Sequence, residues 1–497
     1  MLFCDVVCYT TSMTSCTIHI KDEVNIKISG LEVSTRRKLE KELKYFMPYA
    51  YHVPAYKLGR WDGCVGYFTL SGSSYFNLLD RILPHLVDDG YHIDIDDQRP
   101  VHNFVFPEVC ETTHEQTVWP KGHPIEGQPI LLRDYQVTAI NQFLTNLQCV
   151  QEIATGAGKT LMTATLSKSV EPYGRSIVIV PNKDLVRQTE VDYLNLGLDV
   201  GVYFGDRKDV GKTHTICTWQ SLNSLQKRFK EGDSPMSLEE FAQDMIAVIV
   251  DEVHQAKADV LKALLSGPFA NVPIRWGLTG TIPKEDFEKI GLVACIGSVV
   301  NKIAASDLQD IGVLADCHVN ILQLQDTVEY GTYQEELTYL TTNVRRVDFI
   351  SNFINKLSET GNTLVLVDRV KCGEMICERL GDDNSVFVSG SMKSIDRKDH
   401  YDEISVSDKK IIVATYGVAA VGINIPRIFN LVLLEPGKSF TRVIQSIGRG
   451  IRRAQDKDHV SIWDLTSSAK FSKKHLTVRK KYYQDAKYPF SIEKVKF

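Results

Sequence analysis

The chain has 497 residues, a net charge of −5, 43% hydrophobic residues and 24% charged residues. That length exceeds a single hydrophobic core and predicts about three domains, and the balance excludes disordered and fibrous classes. No apolar run approaches the ~20 residues that span a bilayer, and the acidic balance excludes a uniformly basic nucleic-acid binder while leaving room for one local basic groove.

The first residues, MLFCDVVCYTTSM, carry an acid and no basic n-region, so they do not read as a signal peptide. Residues 1–16 read as an N-terminal extension, and a chain that begins at Met13 is expected to fold and act normally. None of the eleven cysteines forms a C-x-x-C pair, which excludes zinc knuckles and thioredoxin-like sites. Reduced thiols in a cytoplasm are expected.

Residues 17–29 (TIHIKDEVNIKIS) alternate in part and read as one strand. Residues 32–46 read as an amphipathic helix with Leu39, Leu43 and Phe46 on one side. Trp61-Asp62-Gly63 reads as a hairpin turn. A second helix over 75–88 and a closing strand YHIDID complete a small α+β domain over 17–96. Five prolines between 97 and 129 mark a linker, read as an extended strap.

From residue 130 the pattern changes. Continuous apolar runs (IVIV 177–180, THTICTW 213–219, MIAVIV 245–250, IRWGL 274–278) alternate with helical stretches. They predict a buried parallel sheet over 130–300. TLVLV (363–367), SVFVS (385–389), KIIVAT (410–415), NLVLLE (430–435) and HVSIWDL (459–465) predict a second over 301–497. The fold class is therefore α/β, with two tandem parallel-sheet domains after the small one. Residues 470–497 hold nine Lys/Arg against Asp485 and Glu493. They read either as a phosphate-contacting basic tail or as a solvated helix face.

Four segments carry chemistry. Arg133-Asp134-Tyr135-Gln136 precedes the first sheet; a glutamine amide can pair with the adenine N6/N7 edge, with Tyr135 offering a ring. Thr155-Gly156-Ala157-Gly158-Lys159-Thr160 follows a probable strand, 149–153. A glycine loop from strand to helix aims N–H groups at phosphate oxygens, with Lys159 on the β/γ-phosphates and Thr160 on Mg²⁺. Ile153 stands where the usual first glycine belongs, and the bland reading is a Gly-rich turn. The strand MIAVIV ends in Asp251-Glu252-Val253-His254. Asp251 can hold Mg²⁺ through water and Glu252 can deprotonate the attacking water; the bland reading is a solvated acidic strand end. In Gln445-Ser446-Ile447-Gly448-Arg449-Gly450-Ile451-Arg452, helical spacing puts Gln445, Arg449 and Arg452 on one face. The two arginines read as fingers on the γ-phosphate, or as part of a basic surface helix.

Together these residues resemble superfamily 2 helicases. LRDYQ (132–136) looks like the adenine-reading Q motif, ATGAGKT (154–160) like motif I, and IVIVPNKDLVRQ (177–188) like motif Ia. DEVH looks like the D-E-x-H box, LTGT (278–281) like motif III, ATYGVAAVGINIP (414–426) like motif V and QSIGRGIRR like motif VI. The resemblance covers about 130–455 in family order. It implies two RecA-like domains, ATP and Mg²⁺ as cofactors, and a DNA track touched by motifs Ia, Ib and V: Pro181, Arg187, Thr218, Gln220, Thr415 and Gly422. More loosely, G-R-W-D-G and its element order are similar to the small N-terminal domain of phage recombination helicases of the UvsW type. That implies a DNA helicase or branch-migration motor on Holliday junctions, forks, D-loops and R-loops, in recombination, repair and replication. The partner is DNA, branched or single-stranded, with an RNA–DNA hybrid open. In the small domain Arg36, Arg37, Lys38, Arg60 and Trp61 set basic groups beside rings and are candidate DNA contacts. Rival readings are an RNA helicase, a duplex-translocating motor of a restriction or remodelling complex, and a scaffold with a dead ATP site.

Overall fold

The computed structural model describes residues 14–497 apart from 122–124, 256–257, 391, 393–399, 402, 405, 419–424, 426 and 455. The chain forms two compact units: residues up to 151 with 162–181 and 190–301, and residues 152–161 with 182–189 and 302–497.

The small N-terminal domain is a four-stranded sheet in the order β5-β2-β1-β6. Its strands are β1 (Ser15–Ile20), β2 (Asn25–Ser29), β5 (Ser73–Tyr75) and β6 (His92–Asp97). The expected single strand over 17–29 is a hairpin. The Asp22 carboxylate accepts the N–H groups of Val24 and Asn25 at 2.9 and 2.6 Å, an Asx turn that reverses the chain without glycine. The first helix is shorter than expected, Val33–Glu42. It gives way to β3 (Lys44–Phe46), which pairs with β4 (Cys64–Gly66). Leu39 and Leu43 are buried as expected, but Phe46 alternates outward and is 39% exposed. The Trp61-Asp62-Gly63 turn leads into β4, whose partner lies back at β3 rather than just before the turn. The second helix, Leu79–Asp88, buries Ile82 and Leu86.

The first α/β domain has an eight-stranded sheet in the order β10-β9-β11-β8-β12-β13-β7-β14. These are β7 (Gln148–Ile153), β8 (Arg175–Val180), β9 (Val200–Phe204), β10 (Arg207–Lys208), β11 (His214–Thr218), β12 (Met245–Asp251), β13 (Ile274–Thr279) and β14 (Ser298–Ile303). β8, β9, β11, β12 and β13 run parallel, and β10 folds back on β9. The small domain is not a separate bead. One hydrophobic cluster holds Ile18, Ile28, Leu39 and Phe68 together with Val150, Val250, Leu264 and Ile290. Tyr67 Oη donates to Phe287 O at 3.0 Å, and Glu23 N donates to Ala270 O at 3.0 Å. The Lys262 ammonium sits 4.2 Å from the Tyr67 ring centroid.

The 97–129 segment touches the first α/β domain at several points. Tyr173 Oη accepts from Val105 N and donates to Val105 O at 2.8 and 2.6 Å, and Asn141 brackets Val109 in the same way. His114 is 2% exposed, with Nε2 2.8 Å from Thr165 Oγ1. Burial, with Lys168 nearby, pushes it down to about 4. An unfolded histidine titrates near 6.5, so the stability of its neutral burial is complete above that pH and is lost as pH falls toward 4, by up to ~3 kcal/mol. The melting temperature of His114→Gln is therefore expected to fall less between pH 7.5 and pH 5 than that of the parent. Parallel melting curves across that range would remove His114 from the acid response.

The second α/β domain is an all-parallel sheet in the order β17-β18-β16-β19-β20-β15-β21. Its strands are β15 (Asp316–Leu324), β16 (Thr363–Val367), β17 (Ser385–Val388), β18 (Ile411–Thr415), β19 (Asn430–Leu434), β20 (His459–Ser467) and β21 (Phe490–Val495). The basic terminal segment is part of this fold rather than a tail. It forms the helix Lys470–Asp485 and then β21, which pairs with β15. Arg479 is fully buried and donates to both Asp464 carboxylate oxygens at 2.8 and 2.9 Å. Lys473, Lys474 and Lys481 stay on the exposed face. Among the described residues no helix is long and apolar enough to cross a membrane.

Candidate functional site

The glycine loop leaves β7 at Ile153, which is fully buried in the sheet. That explains the missing first glycine: the position belongs to a core strand. Gly156 and Gly158 take φ of +91° and +80°, conformations that glycine adopts without penalty. The helix Lys159–Val170 starts at once, so its N-terminal N–H groups border the loop. Lys159 Nζ donates to Ile153 O at 3.3 Å, folded over the turn it would leave for a phosphate.

The second unit joins this loop to the arginine-bearing helix Phe440–Gly450. A Cβ placed on Gly448 would lie 3.1 Å from Thr155 Cβ, and one on Gly156 would lie 3.8 Å from Arg452 Cγ. Gln445 is buried and Arg449 is half-buried on the helix. Arg452 differs from expectation. The helix stops at Gly450, and Arg452 lies beyond it in an isolated antiparallel bridge with Leu314. The i,i+3 argument therefore fails, and it is the turn after the helix that brings the two arginines close. Desolvation, with the like charge of Arg449, lowers the Arg452 guanidinium to about 10. Two adjacent cations beside a glycine loop suit an anion.

The loop feeding this helix is fixed by two buried arginines. Arg346 donates to Glu435 Oε1 and Arg479 to Gly437 O, each at 2.7 Å. Burial pushes Glu435 up to about 7. At the other end Lys457, 3% exposed, donates from Nζ to Gly450 O at 2.6 Å and Arg452 O at 2.8 Å. Sequence reasoning missed both arginines and Lys457, since all three lie outside the motifs.

In the first unit, Asp251 ends β12 half-buried, and Glu252 is 8% exposed with φ +49°. Left-handed backbone at a non-glycine residue is held only where surroundings enforce it. Glu252 N donates to Asp251 Oδ1 at 2.9 Å, and Glu252 Oε2 accepts from Gly280 N at 3.3 Å. His254 Nδ1 lies 2.5 Å from Thr279 Oγ1. That hydroxyl also donates to Thr281 O at 2.8 Å. D-E-V-H and L-T-G-T thus form one bonded unit, with Glu252 held between them.

Gln136 is buried and its Oε1 accepts from Arg133 N at 3.0 Å, capping the helix Asp134–Thr145. Arg133 Nη1 donates to Tyr135 Oη at 3.0 Å. On the expected DNA track, Gln220 Nε2 donates to Pro181 O at 3.2 Å, and Thr218 Oγ1 accepts from Ser221 N at 3.3 Å. Arg187 is exposed, 3.9 Å from Asp184. Thr415 closes β18, and Gly422 lies outside the described residues. In the small domain Arg36 Nη1 donates to Leu70 O at 3.2 Å, and Lys38 pairs with Asp89 at 3.1 Å. Trp61 Nε1 donates to Cys64 O at 2.9 Å, pinning its turn. Arg37, Lys57 and Arg60 are exposed.

Residues 129–284 match the model of the type III restriction enzyme res subunit, and 345–454 that of the helicase conserved C-terminal domain. The chain is 25% identical over 486 residues to the ATP-dependent DNA helicase uvsW of Enterobacteria phage T4, covering 94% of this chain and 93% of that one. It is 22% identical over 485 residues to a putative helicase of a Sulfolobus islandicus filamentous virus, covering 90% and 81%. Among solved structures, an HsdR fragment of a type I restriction enzyme from Vibrio vulnificus aligns with a TM-score of 0.56 at 17% identity, covering 73% of this chain and 68% of that one. T4 UvsW aligns over 97% and 99% at 20% identity with a TM-score of 0.46.

Proposed function

From a chain that belongs to the superfamily 2 helicases, has two RecA-like domains and hydrolyses ATP, we propose a DNA motor that unwinds or branch-migrates branched DNA: Holliday junctions, forks, D-loops and R-loops, in recombination, repair and replication. The observation that carries this reading is the shared core of the small domain and the first RecA-like domain. Tyr67 meets Phe287 and Lys262. Phe287 lies in the helix after L-T-G-T, and Lys262 in the helix after D-E-V-H. A branch held by the small domain thus acts on the catalytic segments through packed side chains. The alignment with the T4 helicase along nearly the whole chain, small domain included, supports it.

In this reading Lys159 binds the β/γ-phosphates of ATP. Thr160 and Asp251, hard oxygen donors of the kind Mg²⁺ takes, would hold that ion, which would neutralise phosphate charge. Glu252 orients the attacking water and accepts its proton. Arg449 and Arg452 stabilise charge developing on the transferred phosphoryl group.

Deleting everything before Pro129 would bare the face that Tyr67, Tyr75 and Val65 cover, so point changes are the cleaner test. Arg37, Lys57 and Arg60 changed together to Ala are expected to keep nucleic-acid-stimulated ATPase and lose the preference for forks over linear duplex. The slope of log affinity against log salt should flatten by roughly 0.9 for each phosphate that is no longer neutralised. The measurement is binding and unwinding of labelled fork, Holliday junction, RNA–DNA hybrid and linear duplex. Equal use of all four by the parent protein would end the branch reading.

A further inference from the structure

Arg452 stands beyond the end of its helix. The helix is complete at Gly450, and Ile451 N closes it on Ile447 O at 3.0 Å. The backbone from 450 to 452 is then held from outside. Ala315 N donates to Ile451 O at 2.8 Å, Leu314 bridges Arg452, and the Lys457 ammonium spans Gly450 O and Arg452 O. The last carbonyls of a helix lack intrahelical donors and carry the negative end of its dipole. A cation there is favourable, but a nearly fully buried one is unusual. The carboxylate next in sequence, Asp456, is turned toward Arg427 at 2.8 Å. The Lys457 ammonium meets the carbonyls of Gly450 and Arg452 directly. Burial first, then Arg452, drives its amine down to about 7, with Asp456 opposing.

We propose that Lys457 is a positioning residue for ATP hydrolysis: its two hydrogen bonds to Gly450 and Arg452 set the backbone from which the Arg452 side chain reaches the phosphoryl group. This rests on the finger reading of Arg452. A guanidinium displaced by about 1 Å loses on the order of 10²-fold in rate, while nucleotide binding through the glycine loop is untouched.

The test is a double-mutant cycle on the full chain with Lys457→Met, Arg452→Ala and the pair, reading kcat and KM for DNA-stimulated ATP hydrolysis, nucleotide Kd and melting temperature. Lys457→Met is expected to lower kcat about 10- to 100-fold with KM and Kd within about threefold, and to cost nothing further once Arg452 is Ala. Lys457→Gln, which keeps a neutral N–H donor group on a shorter side chain, is expected to recover part of kcat, and it decides the matter should the Met variant not fold. Unchanged kcat in either soluble variant, or losses that simply multiply in the pair, would overturn the proposal. Full kcat in Arg452→Ala alone would instead remove the finger reading beneath it.

Discussion

Glu252→Gln is expected to bind ATP with near-parental affinity and to hydrolyse it about 10²- to 10⁴-fold more slowly, the contribution of a positioned general base. The amide keeps an oxygen that can accept from Gly280 N, so the left-handed turn at Glu252 and its link to L-T-G-T stay in place. What it loses is the capacity to take a proton from water. Lys159→Ala should behave differently, losing nucleotide affinity along with turnover, because it removes the ammonium proposed to bind phosphate. Steady-state DNA-stimulated ATPase, paired with nucleotide binding, separates the two. Turnover by Glu252→Gln within tenfold of the parent would move the base elsewhere.

The second large effect is expected at Arg452. Replacement by Ala should lower kcat on the order of 10³-fold with little change in KM, since a charge supplied to the transition state contributes little to ground-state binding. Its setting supports that size: a guanidinium whose desolvation lowers it to about 10 beside Arg449 interacts more strongly with an added anion than an exposed one would. A variant altered in KM alone would make Arg452 a ground-state ligand.

The parallel strands from IVIV to HVSIWDL were legible because a strand buried on both faces is an unbroken apolar run, and the glycine loop because its backbone demands a fixed residue pattern. β1 and β2 merged into one expected strand because Asp22, not glycine, makes their turn. β21 was hidden because FSIEKV is an edge strand with mostly exposed side chains, so no core periodicity marks it. Helical spacing put Arg452 on the same helix as Arg449, whereas the helix ends before it. The sequence pattern does not mark that the backbone from Gly450 to Arg452 is held by Lys457 and Leu314, which lie outside the helix. The basic trio at 36–38 looked uniform in sequence. Folding ties Arg36 to Leu70 and Lys38 to Asp89 and leaves Arg37 outward.

The core shared between the small domain and the first RecA-like domain also bears on how the chain is made. A ribosome adds roughly 5–20 residues per second, so β1 to β6 are finished about 10–40 s before Phe287 and Ile296 are synthesised. During that interval the chain lacks the wall against which Tyr67, Tyr75 and Val65 are to pack. Those apolar side chains are exposed together just when the chain is tethered and crowded. Vectorial synthesis thus makes a domain that emerges well before the motor among the last to complete its packing.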